Sequence, residues 1–193
     1  MAHAMKLPRP SPRERLLAAA DELFYAEGVN SVGIERILER ADVAKASLYK
    51  AFGSKEELIA AYLTARHART RAELLTAVEA QSDPRARLLA VFDTQARWLT
   101  RRSYRGCAFA LASAEAPPGG LVQRATEDYR RDVLTLLTRL AGDAGAADPS
   151  AVGLQLHLLY HGADVLAGSP HRGARAVAAR AAAAALIDTA GGG

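Results

Sequence analysis

DVAKASLYKAFGSKEEL, Asp42–Leu58, is the stretch on which the fold turns. Lys45, Lys50 and Lys55 fall within it, and no acid stands between Asp42 and Glu56. Leu48 and Phe52 are spaced i, i+4, so a helix of about two turns would point both at a core. Lys45, Ala46, Ser47, Tyr49 and Lys50 are then left facing outward. Upstream, Val32, Ile34, Ile37 and Leu38 give a second short helix its apolar edge. Ala41-Asp42-Val43 supplies a tight turn between the two. Two short helices joined this way make helix-turn-helix geometry.

The second helix of such a pair enters the major groove of double-stranded DNA by its N-terminal end. Lys45 brings a cation for phosphate or base edge, and Ala46 is small enough for close approach. Ser47 can donate or accept, Tyr49 presents a hydroxyl to a phosphate, and Lys50 adds a charge. Ser54 caps the next helix, whose opening N–H groups together with Lys55 suit a phosphate. A short lysine-bearing helix is more often only a solvated face. The upstream helix and the turn are what favour DNA.

Outward from this stretch the chain reads as all-α, with about nine helices. Ser11-Pro12-Arg13-Glu14 is a capping box with Pro at the first helical position, and Ser54-Lys55-Glu56-Glu57 is another. Asp83-Pro84, Asp148-Pro149 and Ser169-Pro170 repeat the cap-plus-Pro signature. Apolar residues follow at helical spacing, as in Leu16, Leu17, Ala20, Leu23 and Phe24, or Val152, Leu156, Leu159, Ala163 and Leu166. The spacing predicts helices near 12–27, 32–40, 44–50, 54–80, 84–101, 104–114, 120–141, 149–167 and 170–189. Residues 1–10 read as a disordered tail, and Gly191–Gly193 are expected to lack structure. The domain division expected is 11–53 for a helix-turn-helix domain and 54–190 for a larger helical domain.

Composition sets bounds on partners. The net charge of +4 and a pI near 9.5 permit an anionic partner without requiring one. A single cysteine, Cys107, cannot form an internal disulfide, so a reducing cytoplasmic home is expected. Met1–Pro12 has no apolar run of the signal-peptide kind, and Ala181–Ile187 is too short to span a bilayer.

LLAAADELFYAEGVNSVGIERILERADVAKASLYKAFGSKEEL resembles the N-terminal DNA-binding domain of the TetR/AcrR family of transcriptional regulators. Leu23-Phe24 with Gly28, then Asn30-Ser31-Val32 with Ile34, then Ala41 to Leu58 follow the family's order. Three positions depart from it. The family's turn glycine is Asp42 here, the glycine two residues before Leu48 is Ala46, and the frequent His before Phe52 is Ala51. The resemblance implies that Ser31 caps the first motif helix and touches phosphate. It implies groove contacts for Lys45 and Ser47, and phosphate contacts for Tyr49, Lys50 and Lys55. Leu48, Phe52, Ile34 and Val43 are expected in the core. It also implies a homodimer on a pseudo-palindromic operator, seamed by the Ala-rich last two helices. A small-molecule inducer would bind the larger domain and release a repressor.

That larger domain offers candidates of its own. Phe92, Trp98, Phe109 and Tyr129 could wall an apolar pocket, although each taken alone is more simply core. His157, His161 and Asp164 fall at i, i+4, i+7, a spacing that lets two imidazoles share a metal. No third or fourth ligand is specified, so a polar stripe at a pocket or seam is the plainer reading, and His157 and His161 join the pocket candidates. Arg105–Glu115, RGCAFALASAE, resembles a G-C-x-F segment of some family members. Cys107 is more simply a small buried thiol than a redox sensor. Arg101-Arg102 and Arg130-Arg131 read as solvated faces. No catalytic residue, metal or cofactor is assigned. The rival expectations are a ligand-blind DNA-binding regulator, and a small enzyme or metal sensor using Cys107 or the His157/His161 region.

Overall fold

The computed structural model describes residues 10–164 and 171–191. Residues 1–9 of the tail expected at 1–10, Leu166, the Ser169-Pro170 cap and the final two glycines lie outside the described residues. Among the described residues there are nine α-helices and no strand. They are α1 Pro12–Glu27, α2 Ile34–Ala41, α3 Lys45–Phe52, α4 Lys55–Glu79, α5 Pro84–Leu99, α6 Ala108–Glu115, α7 Leu121–Asp143, α8 Pro149–Asp164 and α9 Arg172–Ala190. The chain forms two compact units, Met1–Tyr62 and Leu63–Gly193. No helix among the described residues is long and apolar enough to cross a membrane.

The helix starts follow from their caps. Ser11 Oγ accepts from Glu14 N at 3.2 Å, and Glu14 Oε2 accepts from Ser11 N at 2.7 Å. Asp83 accepts from Ala86 N, Asp148 from Ser150 N and Ala151 N, and Ser54 from Glu57 N. Each bond satisfies a donor that the helix itself cannot.

Other boundaries move, for local reasons. α2 opens at Ile34 because Gly33 is its N-cap, and no side chain caps it. Ser31 therefore does not cap this helix; it sits exposed in the preceding turn. α5 ends at Leu99, and α6 starts at Ala108 rather than near 104. Gly106, at φ 123, breaks the helical path just before the Cys107 N-cap. Gly191 is ordered, its N–H bonding to Ile187 O to close α9.

In the first unit, α1 packs on both α2 and α3. Leu16, Ala20, Phe24, Val32, Ile37, Leu48, Leu58 and Tyr62 form the buried centre. Each large apolar side chain taken from water contributes about 1.5–3 kcal/mol. Phe52 is buried as expected, but Ile34 and Val43 are only half-buried, one at the opening of α2 and the other in the turn.

In the second unit α7 packs on α8, and α9 packs on α5 and α8. Gly153 of α8 faces Thr138 of α7, and a Cβ there would lie 2.7 Å from the Thr138 Cα. Only glycine lets the two backbones come this close. α9 buries Ala176, Ala179, Ala183 and Ile187. Two arginine forks lace it to α5: Arg85 to Asp188 at 2.6 and 2.8 Å, and Arg180 to Asp93 at 2.5 and 3.3 Å. Leu154 and Leu158 of α8 and Val177 of α9 are exposed, at 51%, 65% and 69%.

Candidate functional site

α3 has one buried edge and one open face. Leu48 and Phe52 are buried, while Lys45, Ala46, Tyr49 and Lys50 are exposed. Tyr49 is 46% exposed, large for an aromatic side chain in a small packed unit. Ser47 and Lys55 are half-buried, on the flank of this face and at the start of α4. Ala44, the N-cap of α3, contributes no side-chain bond, so the opening N–H groups of the helix have no cap of their own. Lys45 Nζ lies 3.3 Å from Glu35 Oε1 of α2.

The framework beneath this face is built from contacts that sequence spacing does not reveal. Asp42 holds the turn at φ 53, ψ 56, the left-handed region. It is the only non-glycine residue with positive φ among those described. Arg15 of α1 donates from Nη1 to the carbonyls of Ala41 and Asp42 and to the Asp42 carboxylate. The Arg13 guanidinium sits 5.0 Å from the Phe52 ring centroid, a cation–π contact. Arg36 of α2 forks onto Glu27 of α1 at 2.5 and 2.9 Å. Gly53, at φ 81, turns the chain from α3 into α4, where a side chain would strike Glu57. These bonds fix the angle at which α3 is presented.

In the second unit the rings form a chain. Phe92 meets Tyr160 edge-on at 6.3 Å, and Tyr160 meets His161 at 5.4 Å. His161 meets Tyr129 at 5.9 Å, and Tyr129 stacks on Phe109 at 3.8 Å. His67 of α4 stands edge-on to both Phe109 and Tyr129, and its Nε2 lies 3.0 Å from Asp132. Five of the six pocket candidates thus come together: Phe92, Phe109, Tyr129, His157 and His161. Trp98 is not in this chain; its indole donates to Glu73 of α4 at 2.6 Å. His67 and Tyr160 belong to the cluster, but the sequence pattern did not single them out. Tyr160 Oη is buried near the Tyr129 hydroxyl, without a hydrogen bond of good geometry.

His157, His161 and Asp164 do not converge on one point. His157 Nε2 lies 3.0 Å from both Arg130 O and His161 Nε2, while Asp164 accepts from the Tyr104 hydroxyl at 2.8 Å. Among the described residues no group of three His, Cys, Asp or Glu is placed to hold a metal. Burial, then the neighbouring His157 and Arg130, press the His161 imidazolium down to about 4. Burial raises Asp164 to about 6, against the hydrogen bonds of Tyr104 and Gln95 and the charge of Arg175. Burial and then Asp164 push the Cys107 thiol up to about 11. A thiol held protonated in this way is a poor nucleophile. Arg101 pairs with Glu73 at 3.6 Å and Arg131 with Asp128 at 2.9 Å, both on exposed surface.

The fold and the open α3 face define a helical protein carrying a helix-turn-helix, and comparisons with known proteins agree. The family described as bacterial regulatory proteins, tetR family, matches residues 16–62. The transcriptional activator FasR of Mycolicibacterium smegmatis is 33% identical over 152 residues, which span 77% of this chain and 69% of FasR. The repressor NemR of Escherichia coli is 29% identical over 130 residues, 66% of this chain and 65% of NemR. The crystal structure of a TetR-family transcriptional regulator from Streptomyces coelicolor superposes with a TM-score of 0.87 at 31% identity. That match covers 93% of this chain and 96% of the other. The chain belongs to the TetR family and is a DNA-binding transcriptional regulator.

Proposed function

We propose that the protein is a homodimeric repressor that binds a pseudo-palindromic operator through α3 and leaves it when a small molecule binds the second unit. The open face of α3, with Tyr49 and two lysines projecting from it, is the observation that carries this reading. Lys45, Ala46 and Ser47 meet the base edges, while Ser31, Tyr49, Lys50 and Lys55 position the helix on phosphates. DNA binding belongs to 11–53, and effector binding with dimerisation to 54–190. Leu154, Leu158 and Val177 leave an apolar surface on α8 and α9, which supports a twofold seam there. The ring cluster around Tyr129 is the effector-binding region, and the effector acts by favouring the conformation that fits the operator less well. A DNA-binding regulator of this kind works in the cytoplasm.

The test is selection of genomic DNA fragments on the purified protein at two salt concentrations. Enrichment of a short inverted repeat that persists at the higher salt is expected. Sequence-blind retention that disappears with salt is phosphate attraction alone and would refute the operator reading. On the selected repeat, Tyr49→Phe is expected to weaken binding at every sequence, and Ser47→Ala to change the preference among sequences.

FasR, an activator by name and 33% identical, favours a second reading in which the sign of regulation is positive. A reporter driven by the selected promoter separates the two signs. Deleting the regulator raises expression if it represses and lowers expression if it activates.

A further inference from the structure

Glu35 stands in the first turn of α2 and reaches across to the first residue of α3, Lys45, at 3.3 Å. Gly33 leaves the start of α2 without a side-chain cap. Glu35 has its own backbone N–H at that same helix start, among the donors that no side-chain cap satisfies. That N–H, and then Lys45, keep the carboxyl below the usual carboxylate range, so it is an anion at neutral pH. Both side chains are largely exposed, Lys45 at 60% and Glu35 at 77%, so nothing packs the pair shut. An acid thus stands on the surface where α3 meets DNA, holding one of the cations meant for it.

Two consequences follow from the chemistry of a carboxylate in that position. A phosphate must compete with Glu35 for Lys45, and the freed carboxylate then repels the phosphate backbone. Neither effect depends on sequence. At a base edge, however, a carboxylate can only accept. Cytosine offers an amine donor in the major groove, whereas guanine and thymine offer acceptors, and the adenine amine lies beside the N7 acceptor. We infer that Glu35 is a specificity-determining residue, which opposes binding to DNA in general and is offset where a cytosine amine meets it. This rests on the reading of α3 as the helix that enters the groove.

The test uses the full chain in four forms: parent, Glu35→Gln, Lys45→Gln and the double variant Glu35→Gln/Lys45→Gln. Each is measured on a random-sequence duplex across a salt series and in a selection from a random DNA pool. Glu35 is exposed, so Glu35→Gln is expected to fold as the parent does, which circular dichroism checks. Glu35→Gln is expected to bind the random duplex several-fold more tightly. It should steepen log K against log salt by about 0.9, the increment for one more neutralised phosphate. The preference for a C·G pair in each half-site of the selected sequence should weaken in favour of A·T, because the amide gains a donor and can pair bidentately with adenine. Lys45→Gln should weaken binding, and in its presence Glu35→Gln should no longer alter the salt slope. If Glu35→Gln changes neither random-duplex affinity, slope nor selected sequence while Lys45→Gln weakens binding, the role of Glu35 is refuted and the groove reading stands. If Lys45→Gln is also without effect, the groove reading fails along with it.

Discussion

Arg15 Nη1 lies 2.7 Å from the carbonyl oxygen of Asp42 and 3.0 Å from that of Ala41, so the first helix grips the turn of the helix-turn-helix by its backbone. The Asp42 carboxylate adds a weaker contact at 3.3 Å, with its side chain 82% exposed. Arg15→Ala is expected to lower stability by about 1–2 kcal/mol, because it leaves carbonyls without their charged donor. It should also weaken operator binding by loosening the angle of α3. Asp42→Gly is expected to be nearly neutral in stability. It relieves about 1 kcal/mol of left-handed strain and loses an exposed ion pair to Arg15, which keeps both carbonyls. Thermal denaturation of the two variants checks the contrast; a large loss in Asp42→Gly would mean that the carboxylate, not the backbone, holds the turn.

Gly153 makes a sharper stability prediction. An alanine there would place its Cβ 2.7 Å from the Thr138 Cα, a backbone atom that no rotamer change can move. Gly153→Ala is expected to force α7 and α8 apart and destabilise the second unit by about 2 kcal/mol. The double variant Gly153→Ala/Thr138→Ala should recover little of that loss, since the Cα remains. Chemical denaturation of both variants measures it, and full rescue would show that only the threonine side chain stood in the way.

Asp164 and His161 oppose each other in pH. The folded value of Asp164 is raised to about 6, so its contribution is complete below its unfolded value near 4 and is lost as pH rises. The folded value of His161 is depressed to about 4, so its contribution is complete above its unfolded value near 6.5 and is lost as pH falls. Between about pH 4 and 6 each has a slope near 1.4 kcal/mol per unit, and the two nearly cancel. Burial also lowers His157, which adds to the histidine side. Relative to the parent chain, Asp164→Asn should therefore gain stability as pH rises from 4 to 6, and His161→Gln should lose it. Urea denaturation at pH 4, 5 and 6 reads both slopes; parallel curves for all three proteins would refute the opposition.

Leu158 tests the seam. It is 65% exposed, beside Leu154 at 51%. Leu158→Arg would bury a charge without a partner in any apolar interface formed by that surface. Light scattering is expected to report a dimer for the parent chain and a monomer for Leu158→Arg, with the helix content of the two unchanged. A dimer in both would place the seam elsewhere.

The helix starts were legible because caps are local. Ser11 with Glu14, Ser54 with Glu57, Asp83 with Ala86 and Asp148 with Ala151 each act over three residues. The paired short helices were legible for the same reason, from Leu48 and Phe52 on one side of the turn and Ile37 on the other. Ser31 misled because a serine before a helix resembles a cap, yet the chain runs on through Val32, fully buried, and Gly33, the N-cap, before α2 begins at Ile34. Arg15 could not be assigned to the turn because its partners lie 26 and 27 residues away. In the ring cluster, Tyr129 read as core, and spacing placed His157 and His161 on one face of a single helix. It could not show that His67, 62 positions before Tyr129, would stand against the same ring. Trp98 lies on the same helix as Phe92, but its indole N–H is drawn to a carboxylate on another helix, which no single-helix pattern contains.

The arginine forks between α5 and α9 bear on how the chain is made. Arg85 meets Asp188 across 103 residues, and Asp93 meets Arg180 across 87. During synthesis α5 leaves the ribosome with an acid and a base facing water, and both remain unmatched until α9 has been translated. Contacts this distant in sequence form late. The face of α5 that α9 covers therefore stays open until that helix is made, and a ribosome that stalls before Arg180 holds a chain whose α5 has nothing to dock against on that side.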